Sequence, residues 1–149
     1  MNRRNFLGLG LGVAAVAMVP MSLSAVDFRA TKPVAWTATK VDAAIKELYG
    51  TTATTESGVK LKAPDIAENG AVIPVSVSSD LAGKTVTIFQ DANPEATVAV
   101  FTVPTGGIID YSIRIKMQKT GTVTAIVEVD GKLHSASKLV KVTKGGCGG

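Results

Sequence analysis

Apolar positions recur at helical spacing in only one stretch downstream of the N-terminal segment, residues 36–49. Val41, Ala44, Ile45, Leu48 and Tyr49 share one face there, and Lys40, Asp42, Lys46 and Glu47 share the other. The pattern predicts one helix over residues 36–49, packed on its own domain. Thr37 or Thr39 would cap it, and Gly50 would close it, because glycine tolerates the left-handed backbone that follows a helix. From Thr51 onward the period shortens to two. Residues 59–63 alternate apolar and charged until Pro64 stops them. Residues 71–78 are β-rich, and the internal Pro74 points to an edge position or a bulge. Five further runs follow at 84–90, 97–103, 111–117, 122–129 and 132–142, and Asp130-Gly131 between the last two signals a tight hairpin. Short strands at this spacing with no helices between them predict a mainly β fold, an immunoglobulin-like antiparallel β-sandwich with one N-terminal helix. The Cys…Trp…Cys framework of antibody domains is absent, so that likeness is architectural.

The N-terminal segment has a different grammar. Asn2-Arg3-Arg4-Asn5-Phe6-Leu7 carries paired arginines before Phe-Leu, the mark of a twin-arginine export signal. An apolar run to about Val19, Pro20 and the small residues Ser22–Ala25 complete a signal-peptide pattern, with cleavage expected near Ser24 or Ala25. The run is short of the roughly 20 apolar residues that span a bilayer, so no stable membrane anchor is expected. The expected division is a signal peptide over 1–25, a helix-plus-sandwich domain over 26–143 and a C-terminal arm over 144–149. Export in a folded state implies a cofactor or partner acquired beforehand. No cofactor motif follows, which points to a partner.

Charge and composition mostly exclude. Removing Arg3 and Arg4 from the 16 basic residues leaves 14 against 12 acidic ones, too balanced for a nucleic-acid face, and 5% aromatics make no stacking platform. One cysteine makes no internal disulfide, and one cysteine with one histidine makes no convincing zinc site. No phosphate loop, dinucleotide fingerprint or catalytic triad is present. The segment Asp65–Gly70 lacks the oxygen spacing of a calcium loop and reads as a turn, and His134 reads as a solvated strand residue. The chain is not expected to be an enzyme in its own right.

What remains is the end of the chain, Lys144-Gly145-Gly146-Cys147-Gly148-Gly149. Glycines on both sides of the lone thiol leave the backbone free and the arm thin. Such an arm suits a covalent carrier that must enter another protein's narrow site. A thiolate is the competent nucleophile, and an ordinary cysteine with pKa about 8.5 is only slightly ionised at neutral pH. Lys138, Lys141 and Lys144 approach the arm and favour the thiolate slightly, while the terminal carboxylate opposes them.

Taken with the export signal, the segment 63–75 and the run 136–143, this terminal pentapeptide resembles the SoxY family of the thiosulfate-oxidising Sox system. The resemblance implies an immunoglobulin-like sandwich in the periplasm that pairs with a SoxZ-like subunit. It implies sulfur held covalently on Cys147, with Gly145, Gly146, Gly148 and Gly149 as the arm and no separate cofactor. It also implies action by a c-type haem enzyme (SoxAX), a hydrolase (SoxB) and, in some organisms, a sulfur dehydrogenase (SoxCD). Two rival readings stand beside it. One is a carrier loading sulfur on the Gly-Gly carboxylate as a thiocarboxylate, and the other is an exported sandwich dimerising through a Cys147 disulfide.

Overall fold

The computed structural model describes residues 26–144. Three short helices come first: α1 (Phe28–Thr31), α2 (Pro33–Thr37) and α3 (Val41–Tyr49). Nine strands follow: β1 (Thr54–Thr55), β2 (Val59–Lys62), β3 (Ile66–Ala67), β4 (Ile73–Ser79), β5 (Thr85–Gln90), β6 (Thr97–Thr102), β7 (Ile109–Ile115), β8 (Gly121–Val129) and β9 (Lys132–Val142). The larger sheet runs β1-β9-β8-β5-β6 with β3 also on β9, and the smaller runs β2-β4-β7. The seven strands expected from the alternation all form, in a two-sheet sandwich.

Three expectations are corrected. The helix does not run unbroken from Trp36. Ala38 is extended (φ −63°, ψ 131°) and separates α2 from α3, because its carbonyl accepts the Ala96 N–H from the β5–β6 loop at 2.9 Å. Neither threonine caps α3: Lys40 holds the N-cap position without a side-chain bond, and the Thr37 hydroxyl donates to Val34 O. Gly50 does close α3, at φ 75°. The second correction concerns Pro74, which lies in the middle strand of the smaller sheet rather than at an edge. It is tolerated because β2 pairs only with Ser76–Ser79, leaving Pro74 beyond its reach. Third, the sandwich is not purely antiparallel. The two-residue strands β1 and β3 lie parallel to β9, and β3 falls inside the stretch expected to be a turn.

Two apolar clusters hold the layers. Val75, Val77, Ile88, Ile115, Val123 and Val140 are among those that fill the space between the sheets. Ala44, Ile45 and Leu48 of α3, with Ala35 of α2, pack on Phe89, Ile126 and Leu133, on the other face of the larger sheet. Strand β5 is therefore covered on both sides and buried at every position. The Tyr49 hydroxyl bonds Thr85 at 2.8 Å and also Thr87, satisfying polar groups under the helix. The β8–β9 turn has Asp130 at φ 48° and Gly131 at φ 82°, the two left-handed positions of a type I′ hairpin.

Candidate functional site

β9, at 11 residues, is the longest strand, and it delivers the chain to Lys144. Its last turn is held from two directions. On one flank the segment leading into β4 runs beside it. Asp65 O accepts Lys141 N–H at 3.0 Å, Ala67 O accepts Thr143 N–H at 3.1 Å, and Gly70 N–H donates to Lys144 O at 3.0 Å. On the other flank the Thr120 hydroxyl accepts Val142 N–H at 2.9 Å. Gly70 is itself tied down, since its carbonyl accepts Met117 N–H at 2.8 Å and the Met117 side chain is fully buried. The backbone is thus pinned up to Lys144, three residues before the thiol. Fully extended, those three residues span about 10 Å.

The lysines near this root divide. Lys138 pairs with Asp65 at 3.0 Å, so it is committed to the strand flank and not to the arm, as the sequence had suggested. Lys141 and Lys144 are exposed and form no ion pair among the described residues. The Thr120–Val142 bond brings a third exposed lysine, Lys119, to the same end. Lys119 was missed because its proximity depends on a turn docking on a strand residue 22 positions later. Asp91 lies nearby with its carboxylate accepting Thr122 N–H at 2.7 Å, so the field at the root is mixed, and salt screens exposed charges beyond about 10 Å.

A cleft of about 530 Å³ opens at the same end, lined in part by Gln90, Asn93, Glu95, Val98, Ile115 and Gln118. Buried Gln90 shapes it. Its amide donates to Glu95 O and accepts from Ala92 and Asn93 N–H, each at 2.7 Å. The cleft presents no nucleophile paired with a base. Among the described residues no group of three metal-ligating side chains occurs. His134 is half-buried on β9, with Nδ1 3.4 Å from the Ser57 hydroxyl, remote from the root. Cys147, Gly145, Gly146, Gly148 and Gly149, like Arg3 and Arg4, lie outside the described residues, as does the 1–25 segment.

A family model described as sulfur oxidation protein SoxY matches residues 45–147, the span that ends on the lone cysteine. The chain belongs to the SoxY family. The fold agrees: the structure of the sulfur carrier protein SoxY from Chlorobium limicola f thiosulfatophilum superposes with a TM-score of 0.64 at 40% identity, covering 70% of this chain and 96% of that one. A superoxide reductase (neelaredoxin) from Ignicoccus hospitalis shares the fold at a TM-score of 0.52 and 19% identity, over 58% of this chain and 80% of that one. No curated protein sequence matches the chain significantly. In this SoxY-family chain the described backbone is held by hydrogen bonds as far as Lys144.

Proposed function

We propose that this chain is the sulfur carrier of thiosulfate oxidation and holds its intermediates on the Cys147 sulfur. The carrying observation is that the SoxY match extends to residue 147, where the only cysteine stands. The protein is a carrier and not an enzyme, and no helix among its described residues is long and apolar enough to cross a membrane. Its own contribution is positional, a rigid root at Lys144 and a short, glycine-flanked reach to the thiol.

The chemistry balances with partner enzymes supplying the oxidant and the water. A Cys147 thiolate and thiosulfate join through a new S–S bond, giving a cysteine S-thiosulfonate and two electrons, which a c-type haem partner accepts. Hydrolysis of the terminal S–S bond then gives sulfate, a cysteine persulfide and two protons. Where a sulfur dehydrogenase is present, it oxidises the remaining sulfane before a second hydrolysis. In this reading the chain is exported by the twin-arginine route, guided by Arg3 and Arg4, and works in the periplasm beside a SoxZ-like subunit.

Intact-mass analysis of the periplasmic fraction from thiosulfate-grown cells tests the proposal. The expected species starts near residue 25 and carries sulfur adducts that disappear in Cys147→Ser, because a serine hydroxyl is too weakly acidic to replace the thiol. Adducts that persist in Cys147→Ser, or a mass change on the terminal carboxylate, would sink it. So would a wild-type chain found only as a bare disulfide dimer.

A further inference from the structure

Asn69-Gly70 is the only asparagine–glycine pair in the chain. In such a pair the glycine backbone nitrogen can attack the asparagine side-chain amide, because no glycine side chain shields the approach. A C–N bond forms, ammonia leaves, and a five-membered succinimide results. Water then opens the ring to aspartate or to isoaspartate, in which the main chain runs through the former side chain. Asn93 offers a contrast within the same fold: it precedes Pro94, whose nitrogen carries no proton to give up.

The hydrogen bonds around Asn69 and Gly70 act on this reaction in opposite directions. Asn69 is exposed, so water and hydroxide reach its side chain. The Ala71 N–H donates to Asn69 Oδ1 at 3.0 Å, which folds the amide back over the Gly70 peptide and draws electrons from the carbon to be attacked. A weaker turn bond, Val72 N–H to Asn69 O at 3.4 Å, closes the same loop. Against these stands the Gly70 nitrogen, which is the nucleophile only after losing its proton. Gly70 is buried, and its N–H is held by Lys144 O at 3.0 Å.

We propose that Asn69 is a modification site, set to convert itself to isoaspartate, with the Lys144 carbonyl as the catch that holds the reaction back. The product acts on that catch in turn. Isoaspartate adds one carbon to the main chain ahead of Gly70, and the two backbone groups of Gly70 bridge Lys144 O to Met117 N–H. The added atom draws those bonds apart. Lifting Lys144 therefore frees the Gly70 nitrogen, and converting Asn69 leaves the root unpinned. The reaction consumes one water, releases one ammonia and needs no oxidant, metal or enzyme. It is independent of the carrier proposal and makes no use of Cys147.

Peptide mapping of the full Cys147→Ser chain, incubated at mildly alkaline pH, tests it without interference from disulfides. The tryptic peptide 63–84 holds Asn69 as its only side-chain amide, and isoaspartyl methylation separates isoaspartate from aspartate. Conversion in the folded chain should be at least about tenfold slower than in the same chain held unfolded in urea, because a tied amide reacts only through local opening. Thr143→Pro deletes the N–H that Ala67 O accepts at 3.1 Å and loosens Lys144 without touching Asn69 or Gly70. It should speed conversion about three- to tenfold, the range that one backbone hydrogen bond is worth. Thr143 is exposed beyond the end of β9, so the fold should survive the change. The purified isoaspartate form should exchange its Met117 and Thr143 amides faster than the unconverted chain. The proposal fails if the folded chain converts as fast as the unfolded one, or if Thr143→Pro leaves Asn69 converting at the parent rate. It also fails if the converted chain keeps the parent exchange rates at Met117 and Thr143.

Discussion

The two rims of the sandwich are built by opposite rules. On the β9 rim, short strands are added at both ends of the edge. β1 covers Leu133–His134 and β3 covers Lys141–Val142, and Asp65 neutralises Lys138. On the β7 rim no further strand pairs among the described residues, and a seven-residue strand ends the sheet. The first rim holds the chain as far as Lys144, which takes backbone hydrogen bonds. The second leaves a patterned edge, which demands exposure.

Three substitutions sharpen this contrast. The largest effect is expected at neither rim. Tyr49→Phe removes the hydroxyl bonded to Thr85 and Thr87 and should cost about 1–2 kcal/mol in chemical denaturation, lowering the stability of both rims together. It also carries a pH signature. Burial pushes the Tyr49 phenol above its ordinary value, with the bonds to Thr85 and Thr87 pulling the other way. A raised folded-state pKa gives stability that is complete below the unfolded value near 10 and declines as pH rises through the folded value. The wild-type advantage over Tyr49→Phe should therefore narrow between pH 9 and pH 11. An advantage that widens would contradict the assignment.

Next comes Thr120→Val, which keeps the side-chain shape and deletes the acceptor for Val142 N–H. About 0.5–1 kcal/mol is expected, concentrated at the β9 rim. Amide exchange should speed at Val142 while the β7 amides stay at their wild-type rates. Equal acceleration at both rims would mean that the end of β9 is not held locally. The smallest effect belongs to Asp65→Asn. In the Lys138–Asp65 pair the lysine is half-buried but 90% of the aspartate side chain is open, so its removal should shift stability by less than about 1 kcal/mol, mainly at low salt. The backbone bond from Lys141 N–H to Asp65 O survives the change.

The alternating runs were legible because a half-buried strand writes its face into every second residue, and the β8–β9 hairpin was legible because Asp130-Gly131 suits two left-handed positions. The break at Ala38 was not, since α2 and α3 share one apolar face and the interruption comes from an Ala96 N–H far along the chain. β1 and β3 were invisible for the same kind of reason. Two residues carry no period, and their pairing is chosen by β9. Pro74 was misread because the rule concerns what lies beside a residue, and β2 stops short of it. The lysines were half legible: Lys141 and Lys144 follow from their place near the terminus, whereas pairing takes Lys138 away and a docked turn supplies Lys119.

By itself the sequence determined which chemistry could be proposed, one thiol among glycines, because covalent reactivity resides in a residue type and its immediate neighbours. It also determined the number of long strands and the class of fold, since periodicity is a local property of a chain with one face in a core. The tertiary structure decided how far the end of β9 is held, to Lys144, and which edge is left open among the described residues. Both depend on hydrogen bonds between backbone groups distant in sequence. Every residue but proline carries the same donor and acceptor, so the sequence does not mark which of them will meet.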